Sequence, residues 1–414
     1  MSKRIAVLVR VVAVLVVAGA GLRVVATEQA PPPLIVHEWG TFTSVAGDDG
    51  QAMQWLPLGG PTDLPCFVET YVNRRLKVVL GPDVGDMLDY EQARRGLRGT
   101  VRMETPVLYF YADRAMTARV SVDFPQGLFT EFYPTAEVLQ MDSYANILAR
   151  SGQFRPARIL WPSVKILPGT SPDLPSDRAG SHYYAARETD AAPIRVWQQD
   201  EKFLFYRGVA AFPVPLSATL ETSGRVRVKN LGRQAMPAIV LLTKRGGAFG
   251  YRVRGELEAG AEAVLDAPVP GATLAALRQD LERLLVAQGL YVREARAMIE
   301  TWRDDWFNDG TRVFYLLGAA DVDAILPLTV TPAPASIVRA FVGRMEVITP
   351  ASEADVARAL ATNDTRLLDS YGRWLAPMSD RILAKMRAPE AKAALLAQLD
   401  GLFKAYLSRV TACH

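Results

Sequence analysis

From residue 34 to about residue 270 the chain alternates apolar and polar positions over short stretches, the period of half-buried strands. The stretches are 34–45, 76–80, 100–112, 118–124, 128–133, 158–167, 194–198 and 202–212. They are rich in Val, Tyr, Phe and Thr and bounded by Gly, Pro and Asp. Segments 217–221 and 225–230 flank Thr222-Ser223-Gly224 and predict a hairpin with glycine in its turn. Segments 238–244, 249–254 and 263–267 continue the pattern. So many short strands predict a sandwich or two stacked β-modules. The interval 169–192 breaks the rhythm and reads as a long surface loop.

After Ala267-Pro268-Val269-Pro270-Gly271, which reads as a linker, the period changes. Leu274, Leu277, Leu281 and Leu284 repeat at helical spacing, and Gly289 interrupts the run. Val292, Ala295, Ile299, Trp302 and Trp306 then repeat, which predicts a pair of amphipathic helices ended by Asn308-Asp309-Gly310. Short extended segments follow at 311–317, 325–330 and 337–348. Thr349-Pro350 opens a helical tail in which Ser352 and Asp355 have capping-box spacing. Its last helix carries Leu395, Leu399, Leu402, Tyr406 and Val410. The predicted class is α+β: a β-rich, sandwich-like N-terminal two-thirds (34–270), followed by a mainly helical C-terminal region with short strands (271–414).

Residues 1–26 add a destination. Lys3 and Arg4 precede an apolar run that is clearest from Val11 to Ala20, the order of a secretory signal peptide. Arg10 interrupts it. Ala18-Gly19-Ala20 and Val24-Val25-Ala26 both suit cleavage, and the second is preferred because charged and Pro-rich sequence follows. An uncleaved N-terminal anchor is the alternative, but the run is short against the ~20 residues of a span and carries Arg23. The expectation is export, to the periplasm or outside the cell, with no membrane span after signal removal.

Export also changes the charge. The chain has 47 Lys and Arg against 44 Asp and Glu, and four of those bases lie in the signal, which holds no acid. The mature balance is close to neutral, which gives no electrostatic footprint for nucleic acid. There are two cysteines, Cys66 and Cys413. An oxidising compartment permits a disulfide between them, and two unpaired thiols are the other reading.

Three histidines occur, and His37 stands first among them, in Leu34-Ile35-Val36-His37-Glu38-Trp39-Gly40-Thr41-Phe42-Thr43-Ser44. Histidine beside a carboxylate suits a metal. Strand alternation instead sends His37 and Glu38 to opposite faces, unless Gly40 marks a bulge. Thr41 stands where a zincin helix would need its second histidine. The plainer reading is a hydrogen-bonded histidine at a sheet edge. His182 opens His182-Tyr183-Tyr184-Ala185-Ala186-Arg187 at the end of the long loop, a binding rim or a loop anchor. His414 is the terminal residue. The sharp hypothesis is that His37 and His182 meet, with Glu38 or Glu104, around Zn²⁺ or another divalent metal. That site would activate water, with Arg187 to stabilise charge.

Glu104 is a candidate catalytic acid or, more plainly, the ion-pair partner of Arg102 on the same strand face. Arg344 and Glu346 have the same spacing. Trp302 and Trp306 fall on the helix stripe, and Asp304 and Asp305 read as a solvated face. The chain has no Walker A loop, no Gly-x-Gly-x-x-Gly after a strand and no Gly-x-Ser-x-Gly elbow.

Four strings together carry a resemblance: His37 to Thr43, Met103-Glu104-Thr105-Pro106-Val107-Leu108-Tyr109-Phe110-Tyr111, His182 to Arg187, and Phe341-Val342-Gly343-Arg344-Met345-Glu346. The chain resembles a family of exported bacterial proteins. The resemblance implies export and a match along most of the mature chain, and it implies no reaction. Two functions follow as expectations. The first is a non-enzymatic exported protein that binds a cell-envelope component or a protein partner, with the loop around His182 in its binding surface and no cofactor. The second is the metal-dependent hydrolase using His37 and His182.

Overall fold

The computed structural model describes residues 33–59, 64–71, 96–140, 153–177 and 180–410, with side chains as far as 402. The expected signal peptide, the strand at 76–80 and Cys413, hence the pairing of Cys66, lie outside the described residues.

The strands in chain order are β1 (Ile35–Val45), β2 (Glu69–Thr70), β3 (Val101–Tyr111), β4 (Met116–Phe124), β5 (Gly127–Tyr133), β6 (Glu137–Gln140), β7 (Ala157–Ile166), β8 (Ile194–Val196), β9 (Gln199–Glu201), β10 (Leu204–Ala210), β11 (Leu216–Leu220) and β12 (Val226–Asn230). They continue with β13 (Ile239–Arg245), β14 (Ala248–Arg254), β15 (Glu262–Leu265), β16 (Gly310–Leu316), β17 (Leu328–Thr331) and β18 (Ser336–Glu346). The helices are α1 (Leu274–Ala287), α2 (Val292–Thr301), α3 (Ala319–Ile325), α4 (Pro350–Thr362), α5 (Thr365–Tyr371), α6 (Leu375–Lys385) and α7 (Pro389–Val410).

A nine-stranded mixed sheet runs β14, β13, β16, β18, β1, β3, β10, β5, β2. β1 lies in its middle, parallel to β18 and antiparallel to β3, and is buried on both faces. One face packs on a six-stranded sheet (β17, β4, β7, β8, β9, with β6 also on β7), through residues such as Val36, Phe42, Val120, Ile159 and Trp161. The three-stranded sheet β11, β12, β15 closes the same core. The opposite face is covered by α1, α2 and a 3-10 turn at His182–Arg187, through Trp39, Tyr109, Leu277, Leu281 and Trp306. A third cluster joins Val45 and Trp55 to α4, α5, α6 and α7.

The β-rich N-terminal two-thirds and the C-terminal helices are therefore present. The division at 270 is not a structural boundary. β16 and β18 both come from beyond it, yet they sit between β13 and β1 in one sheet, and Pro33–His414 forms one compact unit.

Smaller differences have local causes. α1 buries Leu277, Leu281 and Leu285, while Leu274, expected on the stripe, is exposed at the first turn. The tail helix is capped one turn earlier than its sequence suggested. Thr349 is the N-cap, accepting from the Ser352 N–H at 3.1 Å, and Pro350 takes the first helical position, where a missing N–H costs nothing. The segment expected to be extended at 325–330 begins as the end of α3 and becomes β17 only at Leu328.

Gly343 shows how tightly the sheet is filled. It pairs with Tyr315 across β16 and β18, and a Cβ there would lie 1.9 Å from the tyrosine ring. Gly343→Ala should cost about 1–3 kcal/mol of stability, as overpacking does, measured by urea unfolding. An unchanged midpoint would mean the ring moves freely.

Candidate functional site

Strand alternation decides the fate of the His37-Glu38 pair. His37 faces the helical layer. Its Nδ1 lies 2.8 Å from Glu294 Oε2, and both side chains are buried. Glu294 is the third residue of α2. It accepts from the N–H of Tyr291, the N-cap, at 2.7 Å, and from the Tyr111 hydroxyl at 2.7 Å. The His37 ring lies 4.6 Å from that of Tyr291 and 5.2 Å from that of Tyr111. Burial and Glu294 push the Tyr111 hydroxyl far up, so it stays a protonated donor. One carboxylate thus caps a helix, orients an imidazole and ties the helix to β1 and β3.

Glu38 points into the other face. It is fully buried and paired with Arg339 of β18, whose Nε and Nη2 lie 2.6 and 2.5 Å from its Oε2. The Tyr206 hydroxyl of β10 donates to its other oxygen. Arg339 Nη1 continues to the Leu326 carbonyl at 2.7 Å and Asp323 at 2.8 Å. There is an irregularity opposite Gly40, but it does not reunite the pair. Gly40 of β1 stands against Thr105 and Pro106 of β3, so the extra residue is in β3, and Thr105 takes a φ of 48°. Gly40 is needed for space, since a Cβ there would meet the Phe341 ring at 2.7 Å.

His182 does not meet His37. Its Nε2 lies 2.7 Å from Asp304, just past the end of α2, whereas His37 is held in the first turn of that helix. Ten helical residues span about 15 Å. The two histidines are thus tied to opposite ends of one rod. Among the described residues no group of three or more His, Cys, Asp and Glu is placed to hold a metal. The expected set of His37, His182 and Glu38 is corrected accordingly: Glu38 lies on the other face of the sheet and each histidine has its own carboxylate.

Arg187 is likewise engaged. Its guanidinium grips Glu201 at 2.7 and 2.9 Å and the Pro175 carbonyl at 2.8 Å, and lies over the Tyr184 ring at 4.8 Å. Glu201 also accepts from Tyr183 at 3.1 Å. Burial pushes the Glu201 carboxyl up, against the opposing pull of Arg187. A raised native value stabilises the fold below the ordinary glutamate range, and that contribution is lost as pH rises through the native value. Wild type should therefore lose stability relative to Glu201→Gln as pH rises from about 4, measured by urea unfolding at each pH. Parallel curves would contradict this.

Glu104 follows the plainer reading. It accepts from Thr43 at 2.7 Å, lies 3.1 Å from Arg102 and pairs closely with Arg373, which also reaches Asp305 at 3.0 Å. Glu346 differs from expectation. Its hydrogen-bond partner is Arg312 on β16, at 2.9 Å, and not Arg344. Trp302 and Trp306 are buried and stacked, 6.4 Å between ring centres. Asp304 is exposed as expected, yet bonded to His182.

The sequence reading missed Glu294, Arg339, Tyr206, Glu201 and Asp304 as partners. His37 and Glu294 are 257 residues apart, and Glu38 and Arg339 are 301 apart. No local spacing signals such a meeting. The capping position of Glu294, three residues after Tyr291, was the one local sign available.

One open feature near these residues is a groove of about 680 Å³ beside the 3-10 turn. Tyr111, Gly169, Leu174, Asp190, Lys202 and Arg293 line it. Lys202 donates to the Thr189 carbonyl at 2.7 Å, and burial followed by Arg293 pushes its ammonium down. Among the described residues no helix is long and apolar enough to cross a membrane.

No protein-family profile and no curated protein matches the chain. Among solved structures, the yeast δ-COP-I μ-homology domain in complex with a Dsl1 peptide overlaps at a TM-score of 0.27 and 7% identity, over 77% of this chain and 98% of that one. An Amycolatopsis orientalis exo-chitosanase complex overlaps at 0.12 and 10%, over 57% of this chain and 25% of that one. Likenesses at this level carry no functional argument, and the chain's own geometry has to supply it.

Proposed function

We propose that this is an exported binding protein, and that a cell-envelope component or protein partner docks in the groove beside the His182 turn. The supporting observation is that this groove is built in advance. Of the residues that line it, Arg187 is held by Glu201, Lys202 by the Thr189 carbonyl and Arg293 by Asp190. A surface already ordered pays less entropy on binding. Its lining mixes signs, with Lys202 and Arg293 against Glu188 and Asp190, which suits a polar partner. The buried acids suggested for the metal site and for catalysis, Glu38 and Glu104, are each committed to arginine.

The test is site-specific photo-crosslinking in cells. A photoreactive residue at Ser171, on the groove rim, should give a discrete envelope adduct, and Arg293→Glu should weaken that adduct about tenfold or more. A probe at Arg254, exposed at the sheet edge, should give none. Equal adducts at both positions, or adducts indifferent to Arg293→Glu, would sink the proposal. Cell fractionation tests export in the same strains.

A further inference from the structure

We propose that a small anion of the carboxylate or phosphate class binds against Arg344, between the nine-stranded sheet and the segment 302–309. The site rests on a surplus of buried donors. Arg344 is fully buried, and among the described residues nothing accepts from its Nε or Nη1. Its Nη2 reaches Asn308 at 3.2 Å. The indole N–H groups of Trp302, Trp306 and Trp374 and the hydroxyl of Thr41 are also buried with no partner among the described residues.

These groups are neighbours. The Trp374 ring lies 4.6 Å from the Arg344 guanidinium carbon. Trp306 lies 5.2 Å from Phe314, the cross-strand partner of Arg344, and Trp302 stacks on Trp306. Thr43 pairs with Arg344 in register, and Thr41 is the next residue of β1 on that face. Four separate segments thus bring unpaired donors to one layer. Guanidinium and indole nitrogens cannot accept a hydrogen bond, so a cation or an acceptor-seeking ligand would find little there. A buried polar group left alone calls for an unseen partner.

The charge count agrees. Arg102, Arg312, Arg344 and Arg373 share this layer with two buried carboxylates, Glu104 and Glu346, and with the part-exposed Asp305. Burial and then Arg312 push the Arg344 guanidinium down to about 9, against the opposing pull of Glu346 and Asp305.

The experiment is thermal unfolding with potassium phosphate replacing potassium chloride at constant ionic strength and pH, and with acetate as a second arm. Wild type should gain about 2 °C or more between 1 and 100 mM of the favoured anion. A response to phosphate alone or acetate alone supports the site and identifies which class it takes. Arg344→Met should flatten the response, and Trp306→Phe, which keeps a ring and removes the N–H, should shift it to higher concentration. If Arg344→Met does not fold, Trp306→Phe carries the comparison. No response in wild type, or the same response in wild type and Trp306→Phe, would overturn the proposal.

Discussion

Glu38→Ala should lower the free energy of unfolding by about 3 kcal/mol, because it leaves the buried Nε and Nη2 of Arg339 without their acceptor and only the exposed Asp323 as counter-charge. Arg339 is 8% exposed and cannot turn to water without leaving the Leu326 carbonyl and Asp323. Tyr206 loses its acceptor in the same step. Glu38→Gln keeps the volume and an acceptor and should be milder. The double variant Glu38→Met, Arg339→Met removes both charges and should recover part of the loss, since a buried ion pair is often no better than an apolar pair of similar size. Urea unfolding of the three variants is the measurement. A loss under about 1 kcal/mol for Glu38→Ala would mean that water reaches Arg339.

Glu294→Ala should follow closely, with a loss of about 3 kcal/mol or more. Three donors depend on that carboxylate: the Tyr111 hydroxyl, the Tyr291 N–H and the imidazole of His37. Each buried group left without a partner costs about 1–3 kcal/mol, and losing a helix cap about 1 kcal/mol. Glu294→Gln keeps one oxygen, which can still accept from the Tyr291 N–H and His37 while its amide N–H donates to the Tyr111 hydroxyl oxygen, so it should retain most of the stability if capping dominates. If the glutamine variant falls as far as the alanine variant, the negative charge toward His37 is what matters.

The local parts of this structure were legible in the sequence, and the long-range parts were not. Alternation placed β1, β3 and the hairpin β11–β12 within a residue or two and rightly predicted that His37 and Glu38 part company. Helical spacing found α1 and α2. What alternation cannot say is whether the second face of a strand meets water or another layer. β1 carries Thr41, Thr43 and Glu38 in positions that look solvent-facing, yet all are buried, because a sheet covers one side and helices the other. The candidate residues are wrong as a set: His37 and His182 were expected to meet each other, whereas each meets a carboxylate at a different end of α2. α3 escaped notice because seven residues are too few to show a stripe.

Among the described residues, the first strand and the last strand lie side by side at the centre of the sheet, in parallel register from Ile35 with Ser336 to Val45 with Glu346. The middle of the molecule is therefore completed by the end of the strand order. A polypeptide still emerging, whether from synthesis or from a narrow conduit, has β1 and β16 as open edges until residue 346 arrives. Pairings this distant are slow to close, so the topology itself delays commitment to the folded state. Such a chain lacks its central strand pairing for most of its length, and a truncation before residue 346 should leave the nine-stranded sheet split in two.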